Sequence, residues 1–307
     1  MKIAIVGAGG MGAMTGGLLK EIEGEDVSLY DIHKEHIETI KRNGLLIEGI
    51  GGERYVPVNA TTRIEDIGIA DLIIIFVKSY DTEEAAAEAV KINSEHTTVL
   101  TLQNGLGNVE ILERAFGSEK VIAGTTDAAA TIVEPGRVKH TAYGNVYIGE
   151  LSGEITGRVR EIVALFSEAG FNAHPSDNVM GLIWTKLILN LAINPLGTIL
   201  RARCEKLIDN DYSRALMRQI VEEALRISDK KGIKLIYPDM VQAAYDLAEK
   251  NATSFNSMAQ DFLKGKKTEI DFISGAIVKE GEQVGISAPF NQAMTMIVKA
   301  LEHTIEK

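Results

Sequence analysis

The sequence predicts an α/β Rossmann N-terminal domain followed by an all-α C-terminal domain. Three observations carry this expectation. Short β-branched runs alternate with helical patterns through the first half, as in a parallel sheet with crossover helices. A glycine-rich turn, Gly7-Ala8-Gly9-Gly10-Met11-Gly12, stands between the first such run and the first helical pattern. After Asp177 the texture changes, and nothing further reads as a strand. The boundary is therefore set at residue 176, giving domains of 1–176 and 177–307.

The elements follow in order. Lys2 to Val6 reads as the first strand, Met11 to Lys20 as a helix and Val27 to Asp31 as the second strand. Leu45 to Ile50 and Arg54 to Val58, separated by Gly51-Gly52, read as a hairpin inserted at the side of the sheet. Asp71 to Lys78 is continuously apolar at its centre, as expected of a strand buried on both faces. Strands are expected over 97–102, 121–126, 129–133, 137–141, 145–148 and 171–175, with a helix over 155–169. Beyond these, helices are expected over 179–194, 205–232, 238–251, 268–284 and 289–305. Pro195 is expected to kink or end the first of them. Gly232 and Gly285 are the best-marked helix stops.

Composition narrows the function. The 307 residues are 45% hydrophobic and 24% charged, in the globular range. A net charge of −11 with no basic cluster argues against nucleic acid or an anionic membrane surface as partner. The longest apolar run, Leu72 to Val77, is far shorter than the roughly 20 residues of a spanning helix. The N-terminal run is too short for an export signal and turns directly into glycines. A cytoplasmic location is expected. The single cysteine, Cys204, excludes an intramolecular disulfide and a cysteine-based zinc site. The six histidines show no metal-ligand spacing, and no metal is expected.

The glycine turn fits G-x-G-x-x-G in the context that makes the pattern specific, between a strand and a helix at the start of a βαβ unit. Gly7 permits the tight turn, Gly9 lets a pyrophosphate approach the backbone, and Gly12 lets the helix pack closely on the strand. The helix N-terminus offers N–H groups and partial positive charge to the phosphates. Asp31, 19 residues beyond Gly12, is placed to accept hydrogen bonds from the adenosine ribose and to repel a 2′-phosphate. NAD(H) is expected ahead of NADP(H), with His33 and Lys34 as nearby cations that reduce the discrimination.

In Trp184-Thr185-Lys186-Leu187-Ile188-Leu189-Asn190-Leu191-Ala192-Ile193-Asn194, three polar residues recur at i, i+4 and i+8. Each step turns a helix by about 400°, so Lys186, Asn190 and Asn194 share one face. The intervening positions are apolar, so the helix must be largely buried. Buried polar groups need partners, and three in register point either to a lined cleft or to a polar seam against another helix.

At this point the chain resembles the ketopantoate reductase family. The similarity covers nearly the whole length: GAGGMG, VKSYDT around Lys78, QNGLGN around Asn104, WTKLILNLAINPL, and SMAQDFLKGKKTEIDFISG. It implies reduction of the C2 ketone of 2-dehydropantoate to (R)-pantoate, a step of pantothenate and coenzyme A biosynthesis. By the resemblance, Lys186 is the general acid and Glu269 binds a substrate hydroxyl and helps hold the lysine. Asn104, Asn190 and Asn194 orient substrate and nicotinamide, Ser257 contacts the substrate carboxylate, and Lys78 lies beside the cofactor. The chain departs from the family in two respects: members that prefer NADPH usually carry a basic residue near the end of the second strand, where Asp31 stands, and the stretch Asn251-Ala252-Thr253-Ser254-Phe255-Asn256-Ser257 matches the family's polar substrate loop only loosely.

Two other readings stay open. One is a related Rossmann dehydrogenase acting on another 2-oxo or hydroxy acid, since fold and lysine specify hydride transfer better than they specify substrate. The other is a non-catalytic nicotinamide sensor, which has no reason to keep Lys186, Asn190 and Glu269 together. The expected partner is a small-molecule 2-oxo acid. The apolar residues near the C-terminus, among them Met294, Met296, Ile297 and Leu301, suggest a homodimer.

Overall fold

The computed structural model describes residues 1–304 of the chain. The first half comprises β1 (Lys2–Val6), α1 (Gly10–Lys20), β2 (Asp26–Tyr30), α2 (Lys34–Asn43), β3 (Leu45–Gly49), β4 (Arg54–Val56), β5 (Asn59–Thr61) and β6 (Leu72–Ile75). Then come α3 (Thr82–Ala89), β7 (Thr98–Thr101), α4 (Asn108–Phe116), β8 (Val121–Thr126), β9 (Ala129–Glu134), β10 (Arg137–Ala142), β11 (Asn145–Glu150), α5 (Gly157–Glu168) and β12 (Asn172–Pro175). The helical part follows as α6 (Val179–Leu200), α7 (Glu205–Ile208), α8 (Asp211–Lys230), α9 (Met240–Lys250), α10 (Ser257–Leu263), α11 (Ser274–Val284) and α12 (Pro289–Glu302). The expected end of the last helix, at 305, lies outside the described residues.

The chain divides into two compact units: residues 1–103 with 108–179, and residues 104–107 with 180–307. In the first unit an eight-stranded sheet has the order β12-β11-β8-β7-β6-β1-β2-β5. It is parallel apart from the β8–β11 pair. The apolar run of β6 serves both faces. Leu72 and Ile74 enter the core that also holds Ile3, Ile5, Met14 and Phe166. Ile73 and Ile75 enter the opposite core, with Ala4, Val6, Ala86 and Leu112. The two-residue period of a strand makes this division.

The segment read as a hairpin at the side of the sheet does not join it. β3 and β4 form a separate four-stranded sheet with the order β4-β3-β10-β9, in which β10 pairs parallel to β3. The pairing is anchored by Arg137, whose Nε donates to Glu48 at 2.8 Å. α1 lies between the two sheets because its faces carry small residues. A β-carbon on Gly16 would meet Leu29 of the large sheet at 2.4 Å, and one on Gly17 would meet Ile47 of the small sheet at 2.7 Å.

In the second unit, α6 runs through Pro195 instead of ending there. A proline in mid-helix costs on the order of 3 kcal/mol. The burial of Ile193, Leu196 and Thr198 around it offsets that cost. α6 is the one helix among the described residues long and apolar enough to cross a membrane, and 72% of its apolar window is buried inside the protein, as in a core helix. The pattern over 205–232 is two helices. Asn210 interrupts it because its side chain accepts from the N–H groups of Tyr212 and Ser213 and starts α8 afresh. The pattern over 268–284 likewise resolves into a short 3₁₀ turn at Ile270–Phe272 and then α11, which Gly285 ends in the left-handed conformation. Cys204 is buried, and burial pushes its thiol pKa up.

Candidate active site

β1 sits between β6 and β2, so the crossovers leaving its end and that of β6 diverge, the position where open α/β sheets bind ligands. Gly7 follows β1 with φ +98, and its N–H donates to the Tyr30 carbonyl at 2.9 Å. A side chain here would be strained and would also strike the Val77 backbone nitrogen at 2.8 Å. Ala8 is buried, and Gly9 caps α1 without a side-chain bond. Nothing lies within 4 Å of the position a β-carbon on Gly9 would take. Gly10 packs on β9, where a β-carbon would meet the Ala130 carbonyl oxygen at 2.5 Å. Met11 is half-buried beside this turn. The first turn of α1 has no acidic residue, so its N–H groups and dipole favour an anion. These residues fit a dinucleotide pyrophosphate.

Asp31 lies one residue past β2. Its Oδ1 accepts from the His33 N–H at 2.9 Å, which fixes the carboxylate at the entry to α2. Next in α2, His36 is buried, and its Nδ1 accepts from the Gly136 N–H at 3.0 Å. Burial lowers the His36 pKa, against the raising influence of Asp31 and of the Ala8 carbonyl. Gly136 immediately precedes β10, so the imidazole joins α2 to the turn that leads into the small sheet.

A buried polar network was not legible as such in the sequence. Lys78 is half-buried and leads from β6 into a 3₁₀ turn at Ser79–Asp81. Thr82 donates to Asn108 Oδ1 at 2.9 Å, and Asn108 Nδ2 donates to Ser79 Oγ at 3.2 Å. Gln103 Nε2 donates to the Val77 carbonyl and to Thr82 Oγ1, each at 2.8 Å. Ser79, Thr82, Gln103 and Asn108 all fall in VKSYDT and QNGLGN, so the motifs were the available signal. The network fixes the two ends of the 104–107 loop.

That loop belongs to the second unit. Leu106 donates its N–H to the Phe272 carbonyl at 3.0 Å. Gly105 takes φ +88, and a β-carbon there would lie 2.5 Å from the same carbonyl oxygen. Phe272 in turn donates its N–H to the Glu269 carbonyl at 3.0 Å. The segments that carry Asn104 and Glu269, 165 positions apart in the numbering, therefore meet at one short turn. Lys186, Asn190 and Asn194 occupy α6, the first two half-buried and Asn194 4% exposed. Thr185 accepts the Ile236 N–H at 3.0 Å and so holds α6 beside Lys186. Ser257 is exposed at the first position of α10.

A glycine-turn Rossmann unit and a helical unit carrying Lys186, Asn190, Asn194 and Glu269 define a class: the nicotinamide-dependent oxidoreductases with a helical second domain. Residues 3–153 match the family model described as ketopantoate reductase PanE/ApbA, and residues 178–302 match its C-terminal counterpart. The chain belongs to the ketopantoate reductase family. It is 38% identical over 302 residues to the 2-dehydropantoate 2-reductase of Pyrococcus horikoshii, covering 98% of each chain. A PanE/ApbA family ketopantoate reductase from Ralstonia eutropha JMP134 superposes with a TM-score of 0.92 at 33% identity, covering 100% of each chain. A D-mandelate dehydrogenase solved with NADH and anilino(oxo)acetate gives a TM-score of 0.93 at 31% identity, covering 99% of each chain.

Proposed function

We propose that this protein reduces the C2 ketone of 2-dehydropantoate to (R)-pantoate with NAD(P)H. The observation that supports the reading is that Lys186, Asn190 and Asn194 share one face of α6, while the segments carrying Asn104 and Glu269 meet where Leu106 donates its N–H to the Phe272 carbonyl and Phe272 donates its own to the Glu269 carbonyl. Residues 1–176, apart from the 104–107 loop, serve as the dinucleotide domain and 177–307, with that loop, as the substrate and catalytic domain.

NAD(P)H bound at the Gly7–Gly12 turn supplies the hydride. The Lys186 ammonium hydrogen-bonds the ketone oxygen, stabilises negative charge as it develops there and delivers the proton. Glu269 accepts a hydrogen bond from the substrate hydroxyl and helps hold the lysine. Ser257 donates to the substrate carboxylate, while Asn104, Asn190 and Asn194 fix the orientation of the ketone. Lys78 would lie beside the cofactor and the site. Asp31 favours NAD(H) over NADP(H).

The protein acts in the cytoplasm as a homodimer, on a small molecule and without nucleic-acid or membrane partners. The net charge of −11 and the exposed Met296 and Ile297 on α12 support these assignments. The similarity to a D-mandelate dehydrogenase favours a second reading, in which a 2-oxo acid with a bulkier apolar side chain is the substrate. Initial rates with 2-dehydropantoate and with 2-oxo acids lacking the C4 hydroxyl, each against NADH and NADPH, decide between them. The first reading requires the highest kcat/KM with 2-dehydropantoate.

A further inference from the structure

Gly197 and Asn256 compete for one small volume in the helical unit. A β-carbon built on Gly197 would lie 2.3 Å from Asn256 Nδ2, so the amide occupies that space only because residue 197 has no side chain. Both ends of the amide are engaged. Its Oδ1 accepts from the Ala259 N–H at 2.9 Å and caps α10. Its Nδ2 donates to the Ile193 carbonyl of α6 at 3.3 Å. The backbone donor at Ala259 fixes which end is the acceptor, so the amide can face α6 in one sense only.

The neighbours of these two residues give the contact its meaning. Ile193 precedes Asn194, and Ser257 follows Asn256. The rest of the segment is tied elsewhere. Cys204 donates its N–H to the Ser254 carbonyl and Glu205 to the Ala252 carbonyl, each at 3.0 Å. The Arg203 guanidinium lies over the Phe255 ring at 5.9 Å. These contacts hold residues 252–255 to the chain that follows α6, whereas the Asn256 amide reaches α6 itself, beside the polar face.

We propose that Gly197 and Asn256 form a matched positioning pair that sets Ser257 relative to the Lys186–Asn190–Asn194 face and so governs affinity for the carboxylate of the 2-oxo acid. The inference rests on the reading that Ser257 binds substrate. Neither member of the pair touches reacting atoms. A methyl group at 197 must push the amide away by about 1 Å, a displacement large enough to weaken binding at a preorganised site.

The test compares wild type, Gly197→Ala, Asn256→Ser, the double variant and Ser257→Ala. The readouts are KM and kcat for 2-dehydropantoate, NADH affinity by fluorescence titration, and Tm. Gly197→Ala is expected to raise KM roughly tenfold while kcat stays within about threefold, with NADH affinity unchanged. Asn256→Ser keeps a capping hydroxyl but loses the bond to α6, and is expected to raise KM by about threefold. In the double variant the clash is gone, so KM should fall back to the level of Asn256→Ser alone. An unchanged KM in either folded single variant overturns the pair, as does a double variant whose losses simply add. A normal KM in Ser257→Ala overturns the role given to Ser257, and this inference with it, while leaving the reductase reading intact. A wild type that turns over no 2-oxo acid overturns both.

Discussion

A β-carbon on Gly12 would lie 1.9 Å from the carbonyl oxygen of Gly7, five residues earlier in the chain. The glycine turn thus folds back on itself so closely that its last glycine has the backbone of its first as a wall. β1 stands behind that wall, with Ile5 Cγ2 at 3.2 Å from the same position. Gly12 is required by the turn as much as by the packing of helix on strand.

Gly12→Ala should therefore displace the N-terminus of α1 from the end of β1. NADH affinity is expected to fall by at least about a hundredfold, with a loss of stability in the range of about 1–3 kcal/mol typical of overpacking. Fluorescence titration and thermal melts check this. A folded variant with near-normal NADH affinity would mean that the turn does not hold the dinucleotide.

Lys186 stands beside Asn190 on a helix whose other positions are largely apolar and buried. General-acid and oxyanion effects are each typically worth about 10²–10⁴-fold in rate. Lys186→Ala is expected to lose most of kcat with NADH affinity little changed. Steady-state kinetics on the folded variant measures this, and near-normal turnover would remove the assignment.

Cofactor choice rests on Asp31, whose Oδ1 is held by the His33 N–H. A ribose diol offers donors to such a carboxylate, each bond to an ionised acceptor being worth roughly 1.5–3 kcal/mol. A 2′-phosphate meets like charge instead, a repulsion of on the order of 4 kcal/mol at close range and an effective dielectric near 20. The exposed His33 and Lys34 offset part of it, so kcat/KM should favour NADH by tens of times rather than absolutely. Asp31→Asn should narrow or reverse the preference. A wild type that prefers NADPH would show that the neighbouring cations prevail.

His36 gives a pH dependence of definite sign. Its Nδ1 lone pair accepts the Gly136 N–H, and protonation of that nitrogen would set two donors against each other. Burial holds its pKa below the ordinary value of 6.5, with His33 adding to the effect and Asp31 and the Ala8 carbonyl opposing it. A depressed native pKa means that the unfolded chain takes up this proton first as pH falls. The stabilisation is complete above the ordinary value and is lost as pH drops toward and through the native one, at up to about 1.4 kcal/mol per pH unit. Asn at this position can accept the same N–H without titrating. Denaturant unfolding between neutral and mildly acidic pH should show a shallower slope for His36→Asn than for wild type, and identical slopes would refute this account.

Local information carried much of the protein. The strand and helix periods, the glycine turn after β1 and the 186–190–194 face all depend on residues within a few positions of one another, and each was legible from the sequence. What lay beyond the sequence depends on contacts between distant segments. The 45–58 hairpin gave no sign that β10, some 90 residues later, would take it into a separate sheet, because strand pairing is decided by which edges meet in the folded chain. Pro195 read as a kink or an end, since its local cost is fixed by the residue itself while the burial of Ile193, Leu196 and Thr198 around it is set by the folded chain. The docking of Leu106 on Phe272 and the fit of the Asn256 amide against Gly197 have no periodic signature at all. Such contacts follow from close packing in three dimensions, where the space left by one missing side chain selects its neighbour.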